Sequence, residues 1–333
     1  MKLSTFARLP LYAFAGIGVA SLTLGAMLAS PLRTPPPLAS IHDGAMKIDA
    51  TGAPELSHFQ ARDGSWLGYR LFAAEGAPTG QIAILAHGST GNSMEMTGIA
   101  KALASAGVTA VAIDVRGHGA SGQRGDVGYV GQVDDDLADL LDVLSSAKPQ
   151  ARFVFAGFSL GGGFAARIAG RPLGARFERV IALSPFLGAT APTNRPNEGA
   201  GHWAEADTPR ILAIALMSRL GVTAVQSLPV IHYATVANAE MRQTPVYSYR
   251  LLASYGPGHD WTATEASMRS AASRFQVIAG AEDALMDASA YERELRPLGV
   301  EVTVLPGVDH IGMVYQPAAL AAIVSAVTGV KGS

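Results

Sequence analysis

Arg152-Phe153-Val154-Phe155-Ala156-Gly157-Phe158-Ser159-Leu160-Gly161 is the stretch on which the reading of this chain turns. Its first half is a short apolar run of strand type, and Leu160 to Gly170 behind it reads as a helix. Between them, Gly-x-Ser-x-Gly asks for a sharp strand-to-helix turn, with glycines on both sides of the serine avoiding side-chain collisions in a strained bend. Such a turn holds Ser159 clear of the sheet. The helix start behind it offers free N–H groups and the positive end of a dipole. The five-residue pattern alone is weak, and the strand–turn–helix context gives it weight.

Outward from this turn the chain alternates strands and helices. Phe59 to Arg62 and Ser65 to Phe72 flank Asp63-Gly64, a hairpin signal. Gln81 to Ala86 is a continuous apolar run, suited to a strand buried on both faces. A helical stretch, Ser93 to Ala106, precedes the strand-like Thr109 to Val115, and a second, Val133 to Ser145, precedes Arg152. Arg179 to Leu183, Arg274 to Ala279 and Glu301 to Leu305 read as further strands, with helices over Ala288 to Leu298 and Pro317 to Val327. This order predicts an α/β fold with a mostly parallel central sheet and helices on both faces. The alternation breaks once, between Ser184 and Ser273, and so long a stretch is too much for a loop. The expected organisation is an N-terminal segment over 1–30, a Pro-rich tether over 31–56, a core over 57–184 and 273–333, and a cap or lid insert over 185–272.

In such sheets ligands bind beyond the carboxyl ends of the strands, so functional candidates should follow strands directly. Ser159 does. Asp283 follows the Arg274 strand, and His310 follows the Glu301 strand. A serine hydroxyl is a poor nucleophile until a base takes its proton, which a histidine of near-neutral pKa can do, while an acid fixes the imidazole tautomer. Glu282 and Asp287 are rival acids, and Asp283 is preferred because it sits where the chain leaves the sheet. His87-Gly88-Ser89-Thr90-Gly91 follows the Gln81 strand. The N–H groups of Ser89 and Leu160 are the candidate pair of donors for a tetrahedral oxyanion.

The order serine, acid, histidine along the chain is that of α/β-hydrolases. Asp114-Val115-Arg116-Gly117-His118-Gly119-Ala120-Ser121-Gly122 resembles the D-x-R-G-H-G-x-S loop of one branch of that superfamily. That branch contains the monoacylglycerol lipases, the lysophospholipases and the serine aminopeptidase-like group, and the likeness covers about residues 57–328. It implies the α/β-hydrolase fold and triad chemistry at Ser159, Asp283 and His310, with Ser89 and Leu160 at the oxyanion, and leaves the substrate open.

Other patterns carry less. Gly117 to Gly122 matches G-x-G-x-x-G, but loop-like residues follow where a dinucleotide site needs a helix. Arg116, His118 and His87 read as structural residues near the site, and Asp134, Asp135 and Asp136 as carboxylates at a helix start. His202, His232 and His259 lack ligand spacing, so a metal is not expected, and triad chemistry needs no metal or organic cofactor. In the insert, Thr208-Pro209 opens a helix whose run Ile211 to Met217 is apolar all round, and Tyr247, Tyr249, Leu251, Leu252 and Tyr255 add apolar surface. That insert reads either as a small structural subdomain or as a lid over an acyl pocket.

The chain has 333 residues, 49% hydrophobic, with net charge −2 and no cysteine. This excludes disorder as the main state, disulfides, thiolate sites and a basic footprint for nucleic acid. No charge occurs from Leu9 to Leu32, with Lys2 and Arg8 before it; Leu11 to Ala29 would span about 28 Å as a helix. The far end, Met27-Leu28-Ala29-Ser30-Pro31, lacks a clean small-x-small cleavage site. The expectation is a single-pass N-terminal membrane anchor with the catalytic body outside the cytoplasm, the alternative being export after signal cleavage. The function expected is hydrolysis of carboxylic esters, such as acyl-chain or monoacylglycerol-like lipids, through an acyl-enzyme. Two alternatives remain. One is aminopeptidase-like amide hydrolysis, with Glu198, Glu205 and Asp207 as the acidic cluster for a free amino terminus; the other is a non-catalytic binding protein on a hydrolase scaffold.

Overall fold

The computed structural model describes residues 5–36, 38–195, 203–234, 243–258 and 260–329, with the side chains of 5–15, 17, 39 and 40 outside the description. The N-terminal helix α1 (Thr5–Leu28) and a short α2 (Ala39–Ala45) precede the sheet. Strands β1 (Ser57–Gln60) and β2 (Trp66–Phe72) form the expected antiparallel hairpin. Then come β3 (Gln81–Ala86), α3 (Thr97–Ser105), β4 (Thr109–Ile113), α4 (Gln132–Ala147), β5 (Arg152–Phe158), α5 (Leu160–Ala169) and β6 (Arg179–Leu183). The insert holds β7 (Ala204–Ala206), α6 (Thr208–Arg219), β8 (Pro229–Tyr233), β9 (Val246–Ser248), α7 (Tyr249–Tyr255) and α8 (Trp261–Ser270). The core closes with β10 (Phe275–Gly280), α9 (Ala288–Leu295), β11 (Glu301–Leu305) and α10 (Pro317–Thr328).

The eight-stranded sheet has the order β1-β2-β4-β3-β5-β6-β10-β11, and every pairing from β4 to β11 is parallel. All six residues of β3 are buried, as a strand covered on both faces requires. Its side chains alternate between two cores: Ile82 and Ile84 meet residues of α4 and α5, while Ala83 and Leu85 meet α3 and α10. Because β3, β4, β5, β10 and β11 run in one direction, their carboxyl ends share one edge, where the site assembles. In the insert, β7, β8 and β9 make a separate antiparallel sheet. Helix α8 lies against the core helix α5, where the Ser267 hydroxyl donates to the Ala166 carbonyl.

The N-terminus departs from the sequence reading. Among the described residues no helix is long and apolar enough to cross a membrane; the expected span, Leu11 to Ala29, begins on residues whose side chains lie outside the description. The end of α1 packs on protein, against α6, instead of leading into a free tether. Residues 31–56 are not only a tether either. Leu38, Ile41 and Ala45, spaced to share one helical face, bury themselves against the core.

Candidate active site

Ser159 sits between β5 and α5 with φ 52° and ψ −111°, a backbone conformation that side chains other than glycine rarely adopt. Its neighbours explain how the chain makes that turn. A Cβ on Gly157 would lie 2.0 Å from the Gly161 carbonyl oxygen, and one on Gly161 would lie 2.5 Å from that of His87. The turn is pinned by the Ser159 N–H, which donates to the Leu183 carbonyl at 2.8 Å.

His310 and Asp283 reach the same point from the next strand ends. The imidazole Nδ1 lies 2.7 Å from Asp283 Oδ2 and Nε2 lies 3.0 Å from Ser159 Oγ. A carboxylate only accepts, so Nδ1 carries the proton and Nε2 accepts from the serine hydroxyl. Asp283 Oδ1 accepts the N–H groups of Leu285 and Met286 at 2.8 and 2.9 Å. Burial would raise the Asp283 carboxyl, but the His310 ring and these backbone donors outweigh it and hold it below the usual carboxylate range. The rival acids are elsewhere: Glu282 is exposed, and Asp287 caps α9 by accepting the Ser289 N–H. Among the described residues, no protein acceptor takes the backbone N–H of Ser89 or of Leu160.

The Ser89 loop is held from three sides. Glu95, buried, accepts the Gly88 N–H at 2.6 Å. Burial pushes its carboxyl up to about 7, against the pull of the Gly88 N–H and His310. From the insert, Tyr247 donates to the Ser89 carbonyl and Tyr255 to the His87 carbonyl, and Trp203 Nε1 donates to Ser89 Oγ at 3.1 Å. From beneath, the rings of His87 and His118 pack at a tilt of 58° with centroids 4.8 Å apart; burial lowers them to about 4 and about 3, so both are neutral near pH 7. The Asp114 carboxylate joins the two loops by accepting from Ser93 N–H and Ala120 N–H, both at 2.8 Å.

A cavity opens beside Ser159 and His310, walled by Gly88, Ser89, Glu95, Phe158, Trp203, Ile311 and, from α2, Ile41 and Ala45. Helix α6, the apolar run that a lid over the pocket would use, contributes none of the lining residues. The tyrosines at 247 and 255 are anchors for the Ser89 loop instead of an exposed apolar face. Sequence reasoning missed Glu95, Trp203 and the α2 pair. Asn92-x-x-Glu95 has the form of a capping box, which disguises Glu95, although Asn92 does cap its turn by accepting from the Met94 N–H. Of the acidic cluster proposed for an amino terminus, Asp207 is buried with Ser30 and Arg210, Glu205 lies on β7, and Glu198 falls outside the described residues, as do His202 and His259. No group of three or more His, Cys, Asp or Glu suited to a metal ion occurs among the described residues.

Residues 77–311 match the family described as serine aminopeptidase, S33, more than half of the chain. The chain belongs to this family. Solved structures with the same α/β-hydrolase fold include a soluble variant of monoglyceride lipase from Saccharomyces cerevisiae, at 15% identity and TM-score 0.61 over 86% of this chain and 98% of that one. A hydrolase from Pseudomonas aeruginosa PA01 matches at 22% identity and TM-score 0.52, over 84% of this chain and 100% of that one. The monoacylglycerol lipase of Paleococcus ferrophilus does so at 19% identity and TM-score 0.50, over 78% and 99%. At such identities the likeness is one of fold. No curated protein matches the chain. Membership of the S33 family agrees with the superfamily branch that the Asp114–Gly122 loop pointed to, and makes the chain a hydrolase by family.

Proposed function

We propose that this S33-family protein is a serine esterase that cleaves carboxylic esters through an acyl-enzyme. One observation carries the reading: the His310 imidazole lies between the Ser159 hydroxyl and the Asp283 carboxylate at 3.0 and 2.7 Å. Ser159 Oγ attacks the ester carbonyl while His310 Nε2 takes its proton, and the imidazolium is stabilised by Asp283. The oxyanion is met by the Ser89 and Leu160 N–H groups. His310 returns the proton to the departing alkoxide. A water molecule, deprotonated by the same nitrogen, then releases the acid and restores the serine.

Ester is favoured over peptide amide by the walls of the cavity. Glu95 is the one carboxylate among its described lining residues, and it is engaged by the Gly88 N–H; Asp207 is engaged by Ser30 and Arg210. A fluorophosphonate probe should label the wild type and not Ser159→Ala, and p-nitrophenyl esters should be turned over in preference to aminoacyl anilides. Labelling that survives the substitution would remove Ser159 from the mechanism. Faster anilide cleavage would make the protein an aminopeptidase, and a wild type inert to probe and ester would make it a binding protein.

The uncharged run from Leu9 to Leu32 supports a body outside the cytoplasm, held at the membrane by its N-terminal segment or released after cleavage. The bonds from Arg210 to the Leu28 and Ser30 carbonyls favour retention. Fractionation and N-terminal sequencing of the native protein decide between the two.

A further inference from the structure

We infer that α2 is a wall of the acyl-binding cavity, with Ile41 the residue that restricts the ester to a short acyl group. The inference rests on the serine-esterase reading of Ser159 and names its substrate class.

Ile41 is 2% exposed, and with Ala45 it lines the cavity that holds Ser159 and His310. Helix α2 is pressed onto the turn that carries the histidine: a Cβ added to Gly44 would come within 2.7 Å of the Ile311 Cβ. A side chain larger than glycine's at 44 would lift the helix off this turn.

The segment is also fixed at both ends. On the cap side, Asp207 accepts the Ser30 hydroxyl at 2.7 Å, and Arg210 donates to the Leu28 carbonyl at 2.9 Å and to the Ser30 carbonyl. Burying an arginine without partners is costly, and here partners are supplied by Leu28 and Ser30, at the start of the strap that runs from Leu28 to Pro54 and carries α2. On the core side, Lys101 donates to the Thr51 carbonyl and Arg70 to the Pro54 carbonyl.

With the strap seated, the space left beside Ser159 is ≈ 30 Å³ for the centres of water-sized spheres. One water needs roughly 10–15 Å³ on that measure, so the cavity holds about two waters or a short acyl group. Ile41 and Ala45 stand on the strap side of this cavity, so a longer acyl chain directed that way meets α2. On this inference the long-chain lipids among the expected substrates are the poorer ones while α2 is in place.

The experiment is the ratio of kcat/KM for p-nitrophenyl octanoate to that for p-nitrophenyl acetate, measured on the full chain. A ratio taken on one preparation is independent of the fraction folded. Wild type should favour acetate. Ile41→Ala should raise the ratio by about tenfold or more, and Ile41→Phe should lower it, as added or removed methylenes in an apolar pocket do. A wild type that prefers octanoate, or a ratio in Ile41→Ala within about twofold of wild type, would overturn the wall. Failure of a fluorophosphonate to label wild-type Ser159 would instead remove the esterase reading, and the wall with it.

Discussion

A carboxylate that accepts only one side chain and two backbone N–H groups is committed to its work, and Asp283 is such a group. Asp283→Asn keeps the shape but presents an amide where Nδ1–H needs an acceptor, favouring the wrong imidazole tautomer. The expected loss in kcat for an ester is about ten-thousand-fold, with fluorophosphonate labelling slowed in parallel. A loss under about tenfold would show that another group orients His310. Glu95 makes a prediction in pH. Its carboxyl is raised from an ordinary 4.5 to about 7 by burial, so the folded state favours the protonated form. That contribution is complete below about 4.5 and is lost as pH rises through about 7, a change of roughly 3 kcal/mol. His87 and His118 are lowered to about 4 and about 3, so their contribution has the opposite sign: present above about 6.5 and lost as pH falls through those values. Urea denaturation of wild type and Glu95→Gln between pH 5 and pH 8, subtracted, isolates the carboxyl. The wild type should lose stability relative to the variant as pH rises, and a flat difference would mean that Glu95 is ionised throughout.

Among the elements, the legible ones are those whose chemistry repeats along the chain. The β3 run, buried at every residue, is a continuous apolar segment, and the turn at Ser159 has glycines where a Cβ has no room, so strand, turn and helix could be read from local sequence. The three-residue strands β7 and β9 are too short to show a period, and α2, seven residues long beside a run of prolines, offers only Leu38, Ile41 and Ala45 as a signal. The start of α4 was half legible. Asp134 and Asp135 lie in the first turn with Asp136 just after it, but each carboxylate is tied to a distant arginine: Asp134 to Arg167, Asp135 to Arg62 and Asp136 to Arg116. Nothing in local sequence announces partners that far apart. The Arg116–Asp136 pair, 2.7 Å apart with side chains 7% and 10% exposed, is the most enclosed of these and joins the Asp114–Gly122 loop to α4. Asp136→Ala leaves the guanidinium with Asp63 as its remaining carboxylate partner. It should cost about 1.5–3 kcal/mol in denaturant midpoint experiments, less than a fully stranded buried charge because Asp63 remains. A cost under about 1 kcal/mol would place the loop's stability in its backbone bonds instead.

For the molecule as a whole, the sheet separates two cores, and the N-terminal segment crosses from one to the other at the mouth of the cavity. Leu38 and Ile41 belong to the core with α3 and α10, while Leu28 packs with the core that includes the insert. Loosening either end should therefore free the strap without unfolding the sheet. Asp207 is the place to test this, because it performs two tasks: it caps α6 by accepting the Arg210 N–H at 3.0 Å, and it holds the Ser30 hydroxyl. Asp207→Ala removes the cap, worth about 1 kcal/mol, and leaves the Arg210 guanidinium with backbone carbonyls alone. Hydrogen–deuterium exchange should then speed up in peptides covering residues 30–46 and α6, while amides of β3 and β5 keep their protection. If the strap peptides exchange as in wild type, apolar packing of Leu38 and Ile41 holds the segment by itself. If β3 and β5 lose protection too, the strap and the sheet unfold as one unit, and the division into a fixed core and a separately held wall is wrong.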